Sequence, residues 1–502
     1  MSSVVHVQPR PSQRSALIWF LPIQAAAAFT VIAITSGGQM LRTWIVGALT
    51  WTMALPLLVS IEAGLTAMML FEPVRGLIRR AQYLFVDYTS QDPIHVLTPI
   101  VTLLAFAVLL KRERLAILHA SPLATAVSAL GLIYFLEMFN PLQGGLIVGL
   151  SGGMFVLIPM LWFYFGQALK ENFLHNALRL IVVLGLLTSL YGVFQLVFGY
   201  PSFEQIWIEK TDFYNSIAVG HIERALATFC SAEEWGRYTE IGAIIAFGFA
   251  LANKRLVIRG AWLAAGAFLT GFVILTGQRS AVFGLVIGVL VLVLLGARSF
   301  PNALARLALL MAPVLLLVVF MQAPAEEEMW SHDETQTVST LVSHTQRGVL
   351  KPADEQSFQV RLTNWTYLLT DVIPYRPLGA GVGAGTLSEW RFNQESDLPP
   401  IDSSILVHAI SCGIPGLLLF VWILGRGTWM SCRLARRAAS SDVNADVKRI
   451  IAAVMFAIVL NSMFGLTFTL YSIAPIAWLL IGWLSAETLR ARNDVEREII
   501  TI

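Results

Sequence analysis

"LTGFVILTGQRSAVFGLVIGV", residues 269–289, is apolar on both sides of a single arginine, Arg279. About 20 apolar residues suffice for one helix across the hydrocarbon of a bilayer. The apolar pattern, however, runs from residue 259 to residue 297, the length of two crossings. Two helices joined by Gly277, Gln278, Arg279 and Ser280 put the arginine at a tight hairpin turn, where desolvation costs less than at mid-bilayer. A guanidinium there has three uses: it snorkels to the interface, it pairs with a carboxylate such as Glu240, or it meets a substrate or ion.

The whole chain follows the same pattern. Of 502 residues, 56% are hydrophobic and 13% charged, and the mean hydropathy is +0.69. Soluble domains are about half apolar and a quarter charged, so the composition indicates a polytopic, all-α membrane protein. In lipid a helix is the structure that satisfies its own backbone. With 34 Lys and Arg against 32 Asp and Glu, the net charge of +2 gives no basic field for nucleic acid. Cys230, Cys412 and Cys432 are scattered, with neither disulfide nor metal spacing, and read as packing residues.

Thirteen apolar stretches lie between residues 17 and 487. Lys111, Arg112 and Arg114, then Lys170, then Lys254, Arg255 and Arg259, then Arg298 and Arg306, then Arg433, Arg436, Arg437, Lys448 and Arg449 fill the short loops that the positive-inside rule places in the cytoplasm. The connections 200–235 and 322–403 then face outward, and the second carries five Lys or Arg against twelve Asp or Glu. Arg10 and Arg14 precede an apolar run too long for a signal core, which predicts an uncleaved first helix. The segment from "LRTWIVG" to "FEPVRGLIRRAQYLF" does not fit the alternation. One early stretch is therefore expected to be re-entrant or interfacial, giving about 12 spans. The organisation is N-terminal spans over 1–199, an outer loop over 200–235, spans with the hairpin over 236–321, a large outer loop over 322–403, and C-terminal spans with a cytoplasmic tail over 404–502.

Other polar residues share the expected outer side. Arg224 precedes the span at 236 and also suits a solvated loop. Arg361 lies in "SFQVRLTNWTYLLTDVIPY", where Phe358, Leu362, Trp365, Leu369 and Val372 recur at helical spacing and predict an amphipathic helix on the membrane face. Arg361 and Trp365, one turn apart, suit a cation–π contact as well as a substrate role. "PYRPLGAGVGAG", 374–385, lacks the Lys-Ser/Thr of a phosphate loop and reads as a flexible turn that brings backbone close to a partner or the membrane. Asp402 and Ser403 open the span at 404, where an N-cap would also use them. His408 lies about 9 Å further along that helix, on another face. "SHDE" at 331–334 and the "EEE" at 326–328 read as acidic loop, with no metal invoked. Glu62 and Glu137 are the intramembrane carboxylates that a transporter would use, or that sit at an interface.

The order of an Arg-containing loop, "TGQRS", "VRLTNW", "PLGAGVGAG" and "IDSSILVHAISCGIPGLLLF" resembles the O-antigen ligase and Wzy-type polymerase superfamily. Its shared region shows a Ser-Arg hairpin, an outer-loop Arg and Trp, alternating glycines and a His-Asn before Gly-x-x-Gly. The similarity covers about residues 220–420, and "FNPLQGGLIVGLSGG", 139–153, is similar to polymerase-type members. The resemblance implies sugar transfer at the periplasmic face of the bacterial inner membrane from an undecaprenyl-pyrophosphate-linked donor, with no cofactor or metal. It places Arg224, Arg279 and Arg361 toward the diphosphate and puts Asp402 and Ser403 where ligases carry His-Asn. Asp402 is then the base and Ser403 a substrate contact. The departure from His-Asn favours a polymerase of repeat units over a ligase onto lipid A core. A lipid-linked oligosaccharide flippase is the alternative from another class. The partners implied are the lipid-linked oligosaccharide, membrane lipids, and a chain-length regulator and flippase of the same pathway.

Overall fold

The chain is described by a computed structural model over residues 40–84, 92–211, 218–219, 222–320, 341–342, 345, 356–392, 398–399, 401–438 and 444–501. The first apolar run with its basic flank, the "EEE" and "SHDE" segments, and Arg10 and Arg14 fall outside these residues.

The helices, in order, are α1 (Met40–Ala54), α2 (Ile61–Phe71), α3 (Arg75–Ala81), α4 (Ile94–Glu113), α5 (Ala124–Glu137), α6 (Leu146–Met160), α7 (Trp162–Ala168), α8 (Glu171–Phe198) and α9 (Ser202–Thr211). They continue with α10 (Ala232–Ala252), α11 (Leu256–Leu275), α12 (Arg279–Gly296), α13 (Phe300–Phe320), α14 (Gln356–Tyr367), α15 (Leu387–Phe392), α16 (Ser404–Arg437), α17 (Ala445–Phe464) and α18 (Ala474–Thr501). One two-residue antiparallel pair, Ala218–Val219 with Ile222–Glu223, interrupts the helical pattern. Among the described residues seven helices are long and apolar enough to cross a membrane. Among these residues a larger count draws on shorter or more polar helices such as α5, α10 and α13.

Region 40–84 breaks the alternation for a local reason. Pro56 opens a 3-10 turn after α1, and Pro73 opens another between α2 and α3. A proline removes a backbone donor and tightens the first turn, so the apolar sequence divides into short helices.

The centre is α10, in which every residue from Glu234 to Ala250 is buried. It packs against α8, α11, α12 and α17. The two ends of the bundle differ chemically. At one, Arg306 is an electrostatic neighbour of Arg449, Asp446, Arg259 and Arg298, and Lys448 pairs with Glu487 at 3.1 Å, so basic loops far apart in sequence converge. At the other, Arg237 near the start of α10 reaches Ser280 in the first turn of α12 at 3.2 Å. There too the first amide of α16, Ser404, donates to Gly465 after α17 at 2.9 Å.

α16 is two helices end to end. Gly413 has φ +62° and ψ −167°, and a Cβ there would lie 2.3 Å from the Pro377 oxygen, so only glycine fits. The groups freed by this break are satisfied by the glycine loop of residues 377–385. Ala380 N donates to Ile410 O and Ile414 N to Pro377 O, both at 2.8 Å. Gln143 of the "NPLQGG" stretch holds the same loop by accepting from Gly383 N at 2.9 Å. From Gly379 to Gly385 the expected flexible turn is thus a buried wedge, while Tyr375 and Leu378 before it are exposed. The glycines let backbone meet backbone inside the protein rather than at a partner or the membrane.

Candidate active site

The hairpin forms as its sequence predicts. Gly277, at φ +70°, turns the chain after α11, and Arg279 is the first residue of α12. Arg279 is half-buried. Glu240, the carboxylate considered as its partner, accepts both bonds from Asn461 Nδ2, at 2.9 and 2.7 Å, and faces Gly284 one turn further along α12.

Arg224 is held by a buried polar frame. Arg80 of α3 donates to Glu204 at 2.6 Å and to the carbonyls of Ala227 and Phe229. Gln195 of α8 accepts from the amides of Leu226 and Ala227 and donates to Glu204 at 2.8 Å. Tyr200 donates to the Arg224 carbonyl at 2.6 Å. This frame fixes the loop, and the Arg224 guanidinium comes within electrostatic reach of Arg279. Burial pushes Arg224 below the usual arginine range; Tyr200 and Glu233 oppose that, and Arg279 adds to it. Glu233 joins this cluster to the next by accepting from Arg237 at 3.0 Å and from Leu466 N at 3.2 Å.

Arg361 and Trp365 of α14 both donate to one carboxylate, Asp402, the indole nitrogen at 3.1 Å. Trp365 stacks on Phe464 at 6.0 Å between centroids, so its ring is anchored on one side and its N–H is aimed on the other. Asp402 is therefore not the N-cap. Ser403 takes that position with extended backbone, its own hydroxyl making no cap bond. The Asp402 side chain stays 42% exposed and that of Arg361 32%. Ser403 turns inward and donates to the Ser462 carbonyl at 3.3 Å, which fixes the start of the helix. His408 is fully buried and donates from Nδ1 to the Ser404 carbonyl at 2.7 Å.

Of the residues counted at helical spacing, those along α14 and the turn after it divide between outside and inside. Leu362 and Leu369 are exposed, whereas Leu368 is fully buried beside Val372. A π turn over Leu368–Val372 adds a residue to the helical turn and rotates the side chains after it, which a count at regular spacing misses.

Asp402 lines a cavity of about 610 Å³ that Arg75, Arg79 and His95 also line. Arg75 pairs with Glu72 at 3.1 Å and Glu234 at 3.7 Å, and shares a hydrogen bond with His95 Nδ1 at 3.1 Å. Arg79 pairs with Asp92 at 3.4 Å. Sequence reasoning passed over these arginines because they sit in the segment read only for its topology. Three arginines within "VRGLIRRA", flanked by apolar residues, were the signal. Of the intramembrane candidates, Glu137 ends α5 and accepts from Asn140 at 2.7 Å, and Glu62 lies in the first turn of α2.

Residues 264–421 match the family model described as O-antigen ligase. The match covers about a third of the chain, and over that segment the chain is similar to the O-antigen ligase family. The matched O-antigen ligase region contains the Arg279 hairpin, α14, the glycine wedge and the broken helix that starts beside Asp402; Arg224, Arg75 and Arg79 precede it. Members of the family are membrane glycosyltransferase-like enzymes acting on lipid-linked oligosaccharides. The seven helices that are long and apolar enough to cross a membrane among the described residues, together with this family match, indicate a multi-pass bacterial membrane protein. No curated protein matches it.

Proposed function

We propose that the chain polymerises undecaprenyl-pyrophosphate-linked oligosaccharide repeat units at the periplasmic face of the inner membrane, without a metal. The observation that carries this reading is the Asp402 carboxylate, aimed by Arg361 and Trp365 and placed on the rim of the cavity. An acceptor hydroxyl in the cavity attacks the anomeric carbon of the donor as Asp402 takes its proton. The bond from carbon to phosphate oxygen breaks, the diphosphate leaves with the electron pair, and configuration inverts. A diphosphate leaves well as an anion, so the step needs one base and fixed positive charge rather than an acid. Arg224 and Arg279 supply that charge. Two guanidinium groups drawn together in a half-buried setting repel, and a diphosphate between them relieves the repulsion while accepting paired hydrogen bonds. Arg361 orients Asp402, and Ser403 anchors the helix start beside it.

The family description itself favours a second reading, transfer of finished chains onto lipid A core. Replacing Arg224, Arg279 and Arg361 singly with Lys, and Asp402 with Asn, at matched expression separates the readings through surface polysaccharide length on gels. Polymerase loss leaves single repeats on the lipid anchor. Ligase loss leaves full-length chains on undecaprenyl pyrophosphate, and flippase loss traps units on the cytoplasmic leaflet. Normal chains in all four variants would reject the site.

A further inference from the structure

We propose that the basic end of the bundle binds an anionic phospholipid, its phosphate held by Arg259, Arg298, Arg306 and Arg449 and its acyl chains lying along α11, α12 and α13. The site is separate from the transfer chemistry: the Arg279 hairpin joins α11 and α12 at their opposite ends. Arg259 lies one turn into α11, Arg449 one turn into α17 and Arg306 two turns into α13, and Arg298 stands in the connection between α12 and α13. At 1.5 Å per residue, each of the three helical arginines is within about 9 Å of its helix end. That is headgroup depth for a side chain as long as arginine's.

The charge at this place is unbalanced. Arg449, Arg259 and Arg298 all act on Arg306, and Asp446 is the carboxylate that acts on it among the described residues. Asp446 already accepts from Arg449 at 2.8 Å, while the Nε of Arg449 is buried without a hydrogen-bond partner among the described residues. Two of the guanidinium groups are set by backbone. Arg259 Nε donates to the Ala250 carbonyl at 3.2 Å across the turn between α10 and α11. Arg306 lies over Gly296, where α12 ends, so that a Cβ there would meet its guanidinium. One cation at a helix C-terminus offsets the dipole, and Arg306 does that alone. The other three arginines call for an anion that accepts from several donors at once, as a phosphodiester does. Basic pockets between helices at the cytoplasmic end, the side that the positive-inside rule gives this cluster, take phospholipid headgroups in this way. The same flank offers the tails a surface. α13 packs against α11 and α12, and Val257 of α11, Leu294 of α12, and Phe300 and Leu304 of α13 are exposed. Converging charge beside exposed apolar surface fits a lipid better than a soluble phosphate.

Native mass spectrometry of the full chain in detergent, titrated in turn with phosphatidylglycerol, phosphatidylethanolamine and inorganic phosphate, tests the site. Phosphatidylglycerol is expected to bind more tightly than phosphatidylethanolamine, and inorganic phosphate to leave the bound lipid in place. An arginine near the membrane surface strengthens the binding of an anionic lipid about fivefold. Arg298→Gln is therefore expected to weaken the phosphatidylglycerol complex about fivefold, and the double variant Arg298→Gln with Arg306→Gln about 25-fold. Arg298 is exposed, so its single variant decides the matter even where changes at Arg306 impair folding. Gly296→Ala keeps every charge and displaces only the Arg306 guanidinium, and it too is expected to weaken the complex. Arg433→Gln, a control at the same end whose guanidinium lies 5.1 Å from the Trp429 centroid of α16, leaves the lipid preference unchanged. Four results would overturn the inference. Equal affinity for the two lipids leaves ordinary snorkelling arginines, and equal losses in Arg433→Gln and Arg298→Gln leave a diffuse basic surface. Unchanged binding by Gly296→Ala removes the built site, and displacement of the lipid by inorganic phosphate makes it a site for soluble anions.

Discussion

Asp402 sits one residue before the helix N-cap, and that single step decides what its carboxylate does. At the cap it would accept from amides of the first turn; one position earlier it meets Arg361 and Trp365 from another element. The sequence showed an acid at a helix start, but it contained no sign of which of the two neighbouring residues would be the cap. Trp365→Phe keeps the stack on Phe464 and deletes only the donor to Asp402. A misaimed catalytic group can cost up to about 100-fold in rate, while loss of one partly exposed hydrogen bond lowers stability by at most about 1.5–3 kcal/mol, so the variant is expected to lose transfer rate far more than thermal stability; a drop in stability with transfer unchanged would make the contact merely structural. Arg80 belongs to the opposite case. Its removal leaves Glu204 buried without its cation, though still hydrogen-bonded by Gln195 and Tyr191, and breaking such a pair costs about 3–5 kcal/mol. Arg80→Ala is expected to lower the unfolding midpoint in detergent sharply and to release the loop that carries Arg224. Cys230 gives a pH signature. Burial holds its thiol above the ordinary range against the pull of Arg75, so its thiolate fraction is smaller than a free thiol's. Modification of Cys230 by methyl methanethiosulfonate, followed by peptide mass spectrometry, is accordingly expected to be slow at neutral pH and to accelerate as pH rises; a fast, pH-independent reaction would contradict that environment.

Among the elements, hydropathy and turn residues revealed the hairpin at Arg279 because both helices obey simple rules and the turn carries a glycine at positive φ. The same rules failed over 40–84, where two prolines break the run, and could not show that a π turn follows α14 with Leu368 buried at its start. The glycine wedge was visible as glycine spacing but not as a partner, since its contacts come from Gln143 and from the break in α16, both far away in sequence. Two substitutions in α16 separate these situations. Gly413→Ala forces a Cβ against the Pro377 carbonyl at a left-handed φ, and the conformational part alone costs about 1–3 kcal/mol. Gly425, in the second half of the helix, has open space around a new Cβ, and alanine there stabilises by up to about 1 kcal/mol. Thermal unfolding followed by size-exclusion chromatography is expected to move in opposite directions for the two.

For the whole molecule, the basic loops read from sequence meet at one end of the bundle, and Arg224, Arg279, Arg237 and Glu233 meet at the other. Hydropathy made this helical architecture legible. The cavity was not, because its wall combines α3, α6, α9 and the loop before α18, elements that periodicity cannot relate to one another. At this scale the decisive claim is that Asp402 takes the acceptor's proton. Single-turnover transfer by purified Asp402→Asn protein, with donor binding measured in parallel, tests that claim most directly. General base catalysis contributes about 10²–10⁴-fold, so transfer is expected to fall by that factor while the donor still binds. Transfer at the wild-type rate would contradict the assignment of Asp402 as the base.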